Sequence, residues 1–195
     1  METITLPPIP IGGPALTTVL GTRRSRREYS GEPLSPEQLA LLWWAAHGIT
    51  SDDGRRTAPS AGFTDPMTVT AVTPAWFGTY RGDRHEVEVA ALSDVRPHLA
   101  AACGSQEAVA RAGLIIVASA LVAKTAAKYG ERAELYVELE AGHIGQNVLL
   151  AAESIGLWAV PVGSFNEAEV RRVLDLDEND LPLYLIPVGV PLPAR

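Results

Sequence analysis

The chain has 195 residues, 16 Lys plus Arg against 23 Asp plus Glu, a formal charge of −7, and a composition 47% hydrophobic and 20% charged. That supports one domain with a real core, excludes a disordered chain, and argues against a protein that mainly coats nucleic acid or an anionic membrane. The single cysteine, Cys103, excludes an internal disulfide framework and a cysteine-built metal site and suits a reducing cytoplasm; no run approaches the ~18 apolar residues of a membrane span.

Residues 1–21 carry Leu6, Ile9, Ile11 and Leu16 irregularly among prolines and glycines, which reads as an extended arm preceding a single domain over 22–195. The opening also lacks the basic-then-apolar order of a signal peptide. Ser35-Pro36-Glu37-Gln38 is a helix start, with Ser35 as cap, Pro36 where its missing N–H is harmless and Gln38 closing a capping box. That helix should stop at Gly48. Residues 54–66 read as an ordered loop. Residues 67–72, 87–92 and 114–120 read as strands, with 78–84 as a turn-rich connection between the first two.

The longest periodic segment is 131–155, where Leu135, Leu139, Ile144, Val148 and Ile155 recur at helical spacing before Gly156. Gly142 and Gly145 lie on one face of it. Such interior glycines imply close approach of something flat or bulky, or equally a tightly packed neighbouring helix. Residues 157–162 read as a strand, Asn166 and Glu169 as a second cap pair starting a helix to Leu174, and 183–190 as a last strand. Strands and helices that do not strictly alternate favour an α+β fold.

Arg23-Arg24-Ser25-Arg26-Arg27 puts four basic residues in five positions of an acidic protein. Forked guanidiniums around a hydroxyl suit a phosphate; a solvated basic face and a nucleic-acid contact are the other readings. Glycine-rich dinucleotide and triphosphate loops are both missing, so a phosphate site here points to a mononucleotide-type cofactor. His47, His85, His98 and His143 are scattered and suggest no metal site. Cys103 ends what reads as the buried face of a short helix. Lys124 and Lys128 are the only lysines beside fourteen arginines. Lys128-Tyr129 can act as a proton-transfer pair, or Lys128 can simply end a helix in water. Gln146-Asn147 can read a planar heterocycle or satisfy buried backbone.

Together, Arg23-Arg24-Ser25-Arg26-Arg27-Glu28-Tyr29, Pro33-Leu34 before the Glu37-Gln38-Leu39 helix, and Pro59-Ser60-Ala61-Gly62 resemble the flavin-dependent nitroreductase superfamily. Ile4-Thr5-Leu6-Pro7, Lys128-Tyr129-Gly130-Glu131-Arg132-Ala133, the segment from Glu140-Ala141-Gly142-His143 to Gln146-Asn147, and Gly156-Leu157 with Val162-Gly163-Ser164-Phe165 resemble its SagB/ThcOx-type dehydrogenase branch. The matches run in order over residues 4–190.

The resemblance implies a nitroreductase-like α+β fold: a central antiparallel sheet flanked by helices with a long central one, in a homodimer with FMN at the interface. Arg23, Arg24, Ser25 and Arg27 would hold the phosphate, whose charge is about −1.5 to −2. Pro59, Ser60, Ala61 and Gly62 would line the ring, often from the partner; Gln146 and the backbone of Val162 and Gly163 would lie beside it, and Arg195 is the one candidate for a C-terminal phosphate contact. Lys128 and Tyr129 would be catalytic and remove a proton. The implied protein is a cytoplasmic FMN-dependent oxidoreductase passing hydride through flavin N5. It would oxidise an azoline to an azole or reduce acceptors with NAD(P)H, on a small-molecule or modified-peptide substrate, without nucleic acid or membrane. One departure is Asp65: a negative charge beside the ring would oppose its reduction, unless it points away or binds a cationic substrate group. From it follows the alternative of a catalytically degenerate flavin-binding or scaffold protein.

Overall fold

The computed structural model describes residues 2–10 and 12–193; Met1, Ile11, Ala194 and Arg195 lie outside the described residues. In chain order the elements are β1 (Glu2–Thr5), α1 (Leu16–Thr22), α2 (Pro36–His47), β2 (Met67–Val72), β3 (Phe77–Arg81), β4 (Glu86–Ala91), α3 (Arg96–Ala102), α4 (Glu107–Ala110), β5 (Leu114–Leu121), α5 (Val122–Tyr129), α6 (Ala133–Ser154), β6 (Trp158–Ala159), α7 (Glu167–Leu174) and β7 (Asp180–Gly189). The strands form one sheet in the order β1-β4-β3-β2-β5-β7-β6, each paired antiparallel with its neighbours.

β5 explains the layering. Leu114, Ile116, Ala118 and Ala120 enter the core that α2 and α6 cover, while Ile115 and Val117 enter the core under α3, α4 and α7. A strand buried on both faces needs no polar alternation, and its sequence is accordingly an apolar run. α2 starts as its sequence dictates: Ser35 Oγ accepts from the Gln38 amide at 3.3 Å, and the Ser35 amide donates to Gln38 Oε1 at 2.9 Å. It stops at Gly48, where a Cβ would stand 2.2 Å from the Trp44 ring. Among the described residues, no helix is long and apolar enough to cross a membrane.

Three local expectations are corrected. Residues 1–21 are extended where β1 pairs with β4 but not throughout, since α1 begins at Leu16 and buries Val19. The weak helix-forming residues of α1 (Thr17, Thr18 and Gly21) hid a helix that packing sustains. The turn-rich reading of 78–84 is wrong for Phe77–Arg81, which is interior strand β3. Gly78 marks a register shift against β4 rather than a turn: a Cβ there would lie 2.3 Å from the Glu88 carbonyl oxygen. The strand expected over 157–162 pairs continuously only at Trp158–Ala159, with a separate bridge from Val162 to Leu185. The long helix begins at Ala133, after one 3₁₀ turn over Gly130–Arg132.

Candidate active site around the 59–65 loop

β5 runs straight into α5, so Lys124, Lys128 and Tyr129 are carried on a helix continuous with the centre of the sheet. All three turn toward the loop that follows Pro59. Lys128 Nζ donates to the Gly62 carbonyl at 3.1 Å, Lys124 Nζ donates to the Asp65 carbonyl at 3.0 Å, and the hydroxyls of Thr64 and Thr125 meet at 2.9 Å. The Tyr129 hydroxyl lies so close to Gly62 that a Cβ there would approach it to 2.3 Å, and Gly62 has φ 56°. Glycine suits this left-handed position, and any side chain there would displace the ends of Tyr129 and Lys128. The loop borders a cavity of about 610 Å³ lined by Arg55, Arg56, Pro59, Ser60, Gly62 and Phe63 among others. Lys128 is exposed, and its Nζ rests on the Gly62 carbonyl, so it ends α5 at the surface beside the loop.

Asp65 does not present a bare charge to that cavity. Arg56 grips both its carboxylate oxygens, Nε to Oδ1 at 2.8 Å and Nη2 to Oδ2 at 2.7 Å, and His47 Nε2 lies 3.2 Å from Oδ1. Burial raises its pKa, but the hydrogen bonds of His47 and Arg56 prevail and hold it well below the ordinary carboxylate range. Burial depresses His47 despite the opposing pull of Asp65, so the imidazole favours its neutral form. The charge that stands alone in the sequence at Asp65 is matched inside the chain by Arg56.

Beneath the loop lies Glu140, 3% exposed. Burial pushes its carboxyl up to about 7, against hydrogen bonds from the Ser60 hydroxyl and the Ala61 amide and with added repulsion from Asp65. His47, Asp65 and Glu140 bring potential ligand atoms within 4.8 Å of one another. Both Asp65 oxygens are already held by Arg56, whose charge would oppose a cation at that point. Cys103 is buried, and burial raises its thiol to about 11, so it offers no nucleophile.

The arginine segment lies elsewhere, along β6. Ser25 bridges Ala159, the Arg26 amide donates to the Ala159 carbonyl at 3.0 Å, and the Arg26 guanidinium stacks over Trp158 at 5.0 Å. Arg24 folds back on the carbonyls of Gly21 and Arg23. Arg27 borders a hollow of about 260 Å³ with Glu107 and Arg111. Arg23 and Arg27 make no side-chain hydrogen bond or ion pair among the described residues, and Ser25 is exposed. Guanidiniums and a hydroxyl without internal partners are a donor set that fits a phosphomonoester. Arg195 lies outside the described residues.

Val162 bridges Leu185, and Gly163 faces the Tyr184 ring at 3.6 Å from where a Cβ would be. The same ring explains Gly145, whose Cβ would approach it to 2.9 Å, whereas Gly142 faces open space. Only one of the two helix glycines is therefore filled from within the chain, and by an aromatic side chain rather than a helix. Gln146 is exposed; its neighbour Asn147 donates to the Thr57 carbonyl at 3.1 Å and so satisfies loop backbone. One chain thus joins Lys128 and Tyr129 to 59–62, while the lining of the loop cavity includes none of Arg23, Arg24, Ser25 or Arg27.

Sequence reasoning missed His47, Arg56 and Glu140 as members of the site. For Glu140 a signal exists: with Val137, Ile144 and Val148 it occupies the buried face of α6, where an unpaired acid is out of place. Arg56 and His47 carry no such signal, because neither shares a helix face or strand with Asp65 and only the path of the intervening loop brings them together.

Residues 20–190 match the model of the Nitroreductase family. A candidate nitroreductase of Methanocaldococcus jannaschii, MJ1384, is 37% identical over 180 residues, 89% of this chain and 90% of that protein. The crystal structure of a candidate nitroreductase from Ralstonia eutropha JMP134 superposes with a TM-score of 0.90 at 30% identity, covering 100% of this chain and 91% of that one. The NADPH:FMN oxidoreductase of Vibrio harveyi, solved with NAD+, shares the fold at a TM-score of 0.66 and 22% identity, over 92% of this chain and 72% of that one.

Proposed function

The chain belongs to the nitroreductase family, and from that premise we propose that it is an FMN-dependent oxidoreductase of the SagB-type dehydrogenase kind. The observation that carries this reading is the convergence of Lys128 and Tyr129 on Gly62 at the edge of a cavity of about 610 Å³. Bound FMN would supply a two-electron carrier that accepts and returns hydride at N5. Arg23, Arg24, Ser25 and Arg27 would hold its phosphate, and Pro59, Ser60, Ala61 and Gly62, with Gln146 and the backbone of Val162 and Gly163, would receive its ring. The site is completed by a second copy of the chain, because the phosphate donors and the ring-lining loop occupy separate parts of one copy. Exposed Leu16 and Leu20 on α1, with Leu135, Leu139 and Gly142 on the adjoining α6, give that copy an apolar face to cover.

Tyr129 exchanges a proton with the substrate through its hydroxyl. The Lys128 ammonium, anchored to the Gly62 carbonyl and 5.6 Å from the Tyr129 ring centroid, faces the negative charge that develops there when the proton leaves. The pair serves azoline oxidation, where a ring proton departs with the hydride, and acceptor reduction with NAD(P)H, where a proton is delivered. The alternative of a degenerate scaffold loses its main support once Asp65 is paired with Arg56.

The test is the visible spectrum of the purified protein, release of FMN on denaturation, and bleaching by NAD(P)H. Replacing Arg23 and Arg27 together by alanine should weaken FMN binding by roughly 10²–10⁴-fold, as two charge-assisted contacts are lost. Undiminished FMN affinity in that variant would overturn the phosphate assignment; bound FMN that no reductant bleaches would favour the scaffold.

A further inference from the structure

The loop holds a backbone shape that its side chains resist: Phe63 has φ 61° and Asp65 has φ 45°. Left-handed residues of this kind persist only where the surroundings over-determine them. Here the restraints come from three helices. α5 contributes Lys124, Thr125 and Lys128, α2 contributes His47, and α6 contributes Glu140 from below.

The Glu140 restraint differs from the rest because it depends on a proton. Every group facing the carboxyl can be named. Ser60 and Ala61 face it from the loop, Asp65 from the end of the loop, Arg56 from the segment before it and His47 from α2, with Lys124 of α5 close enough to act on His47. Ser60 Oγ accepts the Asp65 amide at 3.0 Å, which leaves its own proton for Glu140. Arg56 and Asp65 cancel each other as a bidentate pair. A neutral Glu140 leaves Asp65 to its pair with Arg56, whereas an ionised one sets a second, buried carboxylate beside Asp65.

We propose that Glu140 is a proton-dependent positioning residue: carrying its proton it lets Ser60 and Asp65 close under the loop and fixes the Gly62 carbonyl that anchors Lys128, and on losing it, it drives Asp65 away and slackens that anchor. The inference rests on the Lys128–Tyr129 reading above, to which it adds regulation. Burial places the exchange of the two forms near neutrality.

The experiment labels the loop in the full chain. Phe63→Cys, carrying an environment-sensitive thiol fluorophore, reports on it, since Cys103 is buried and does not compete. Probe anisotropy should fall as pH rises, with a midpoint near 7, and adding Glu140→Gln should abolish the transition and hold the low-pH value. A flat profile in the first chain, or an unchanged transition in the second, overturns the proposal. If Glu140→Gln does not fold, the carbon-13 resonance of the Glu140 carboxyl in the unsubstituted chain decides instead: a midpoint near 7 supports the proposal, and an ordinary carboxylate midpoint refutes it. Neither readout needs bound flavin, so loss of the FMN reading would leave both intact. In the loaded enzyme kcat should fall as Glu140 ionises and this limb should vanish in Glu140→Gln; an identical pH profile in both would refute the link to Lys128.

Discussion

Replacing Glu140 by glutamine should stabilise the fold, increasingly as pH rises above 4.5. The carboxyl is buried, its usual value of 4.5 is raised to about 7, and burial is the leading cause. A folded state that raises an acid's pKa binds more protons than the unfolded chain between the two values. Stability from this group is therefore complete below pH 4.5 and is lost as pH climbs through 7. Glutamine keeps the shape and an acceptor for Ser60 and Ala61 but has no proton to lose. At 1.36 kcal/mol per pKa unit, its advantage should be near zero at pH 4, about 2 kcal/mol at pH 6 and about 3 kcal/mol at pH 8. At about 2–4 °C per kcal/mol for a chain of this size, the melting temperatures should diverge by roughly 6–12 °C at pH 8. Paired thermal melts across this range check it. A constant offset between the two chains reflects amide packing; a difference that does not grow with pH would refute the assignment of Glu140 as a buried proton-binding acid.

Two further predictions concern α6. Gly145→Ala should lower stability by about 1–3 kcal/mol, because the new methyl meets the Tyr184 ring at 2.9 Å; urea unfolding that shows a gain instead would mean the ring moves freely. Leu139→Glu should leave the fold of one copy intact, since that side chain is exposed, yet weaken self-association at least tenfold in sedimentation equilibrium if a second copy covers it. Unaltered assembly in that variant would place the interface elsewhere.

What the sequence made legible follows from the range of the interactions involved. Ser35, Pro36 and Gln38 act within one turn, so the start of α2 could be read directly, as could the Asn166 cap of α7. The double burial of β5 was visible as an apolar run. Gly78 misled because one residue type serves both turns and register shifts, and only the partner strand distinguishes them. At the site, the Lys128-Tyr129 dipeptide and the Pro59–Gly62 run were visible as short words, but their contact spans 66 residues of chain. The Arg56–Asp65–His47 cluster was invisible, because each member is ordinary until the fold brings them together; Asp65 alone looked like an unpaired charge.

The absence of any linker between β5 and α5 carries a practical consequence for engineering. Leu121 ends the strand and Val122 begins the helix, so α5, with Lys128 and Tyr129 at its end, takes its direction from β5. Insertions at that junction should be poorly tolerated. The loop over residues 59–65, which borders the cavity, lies outside that junction and is the place where a library could reshape the cavity while α5 keeps its mounting.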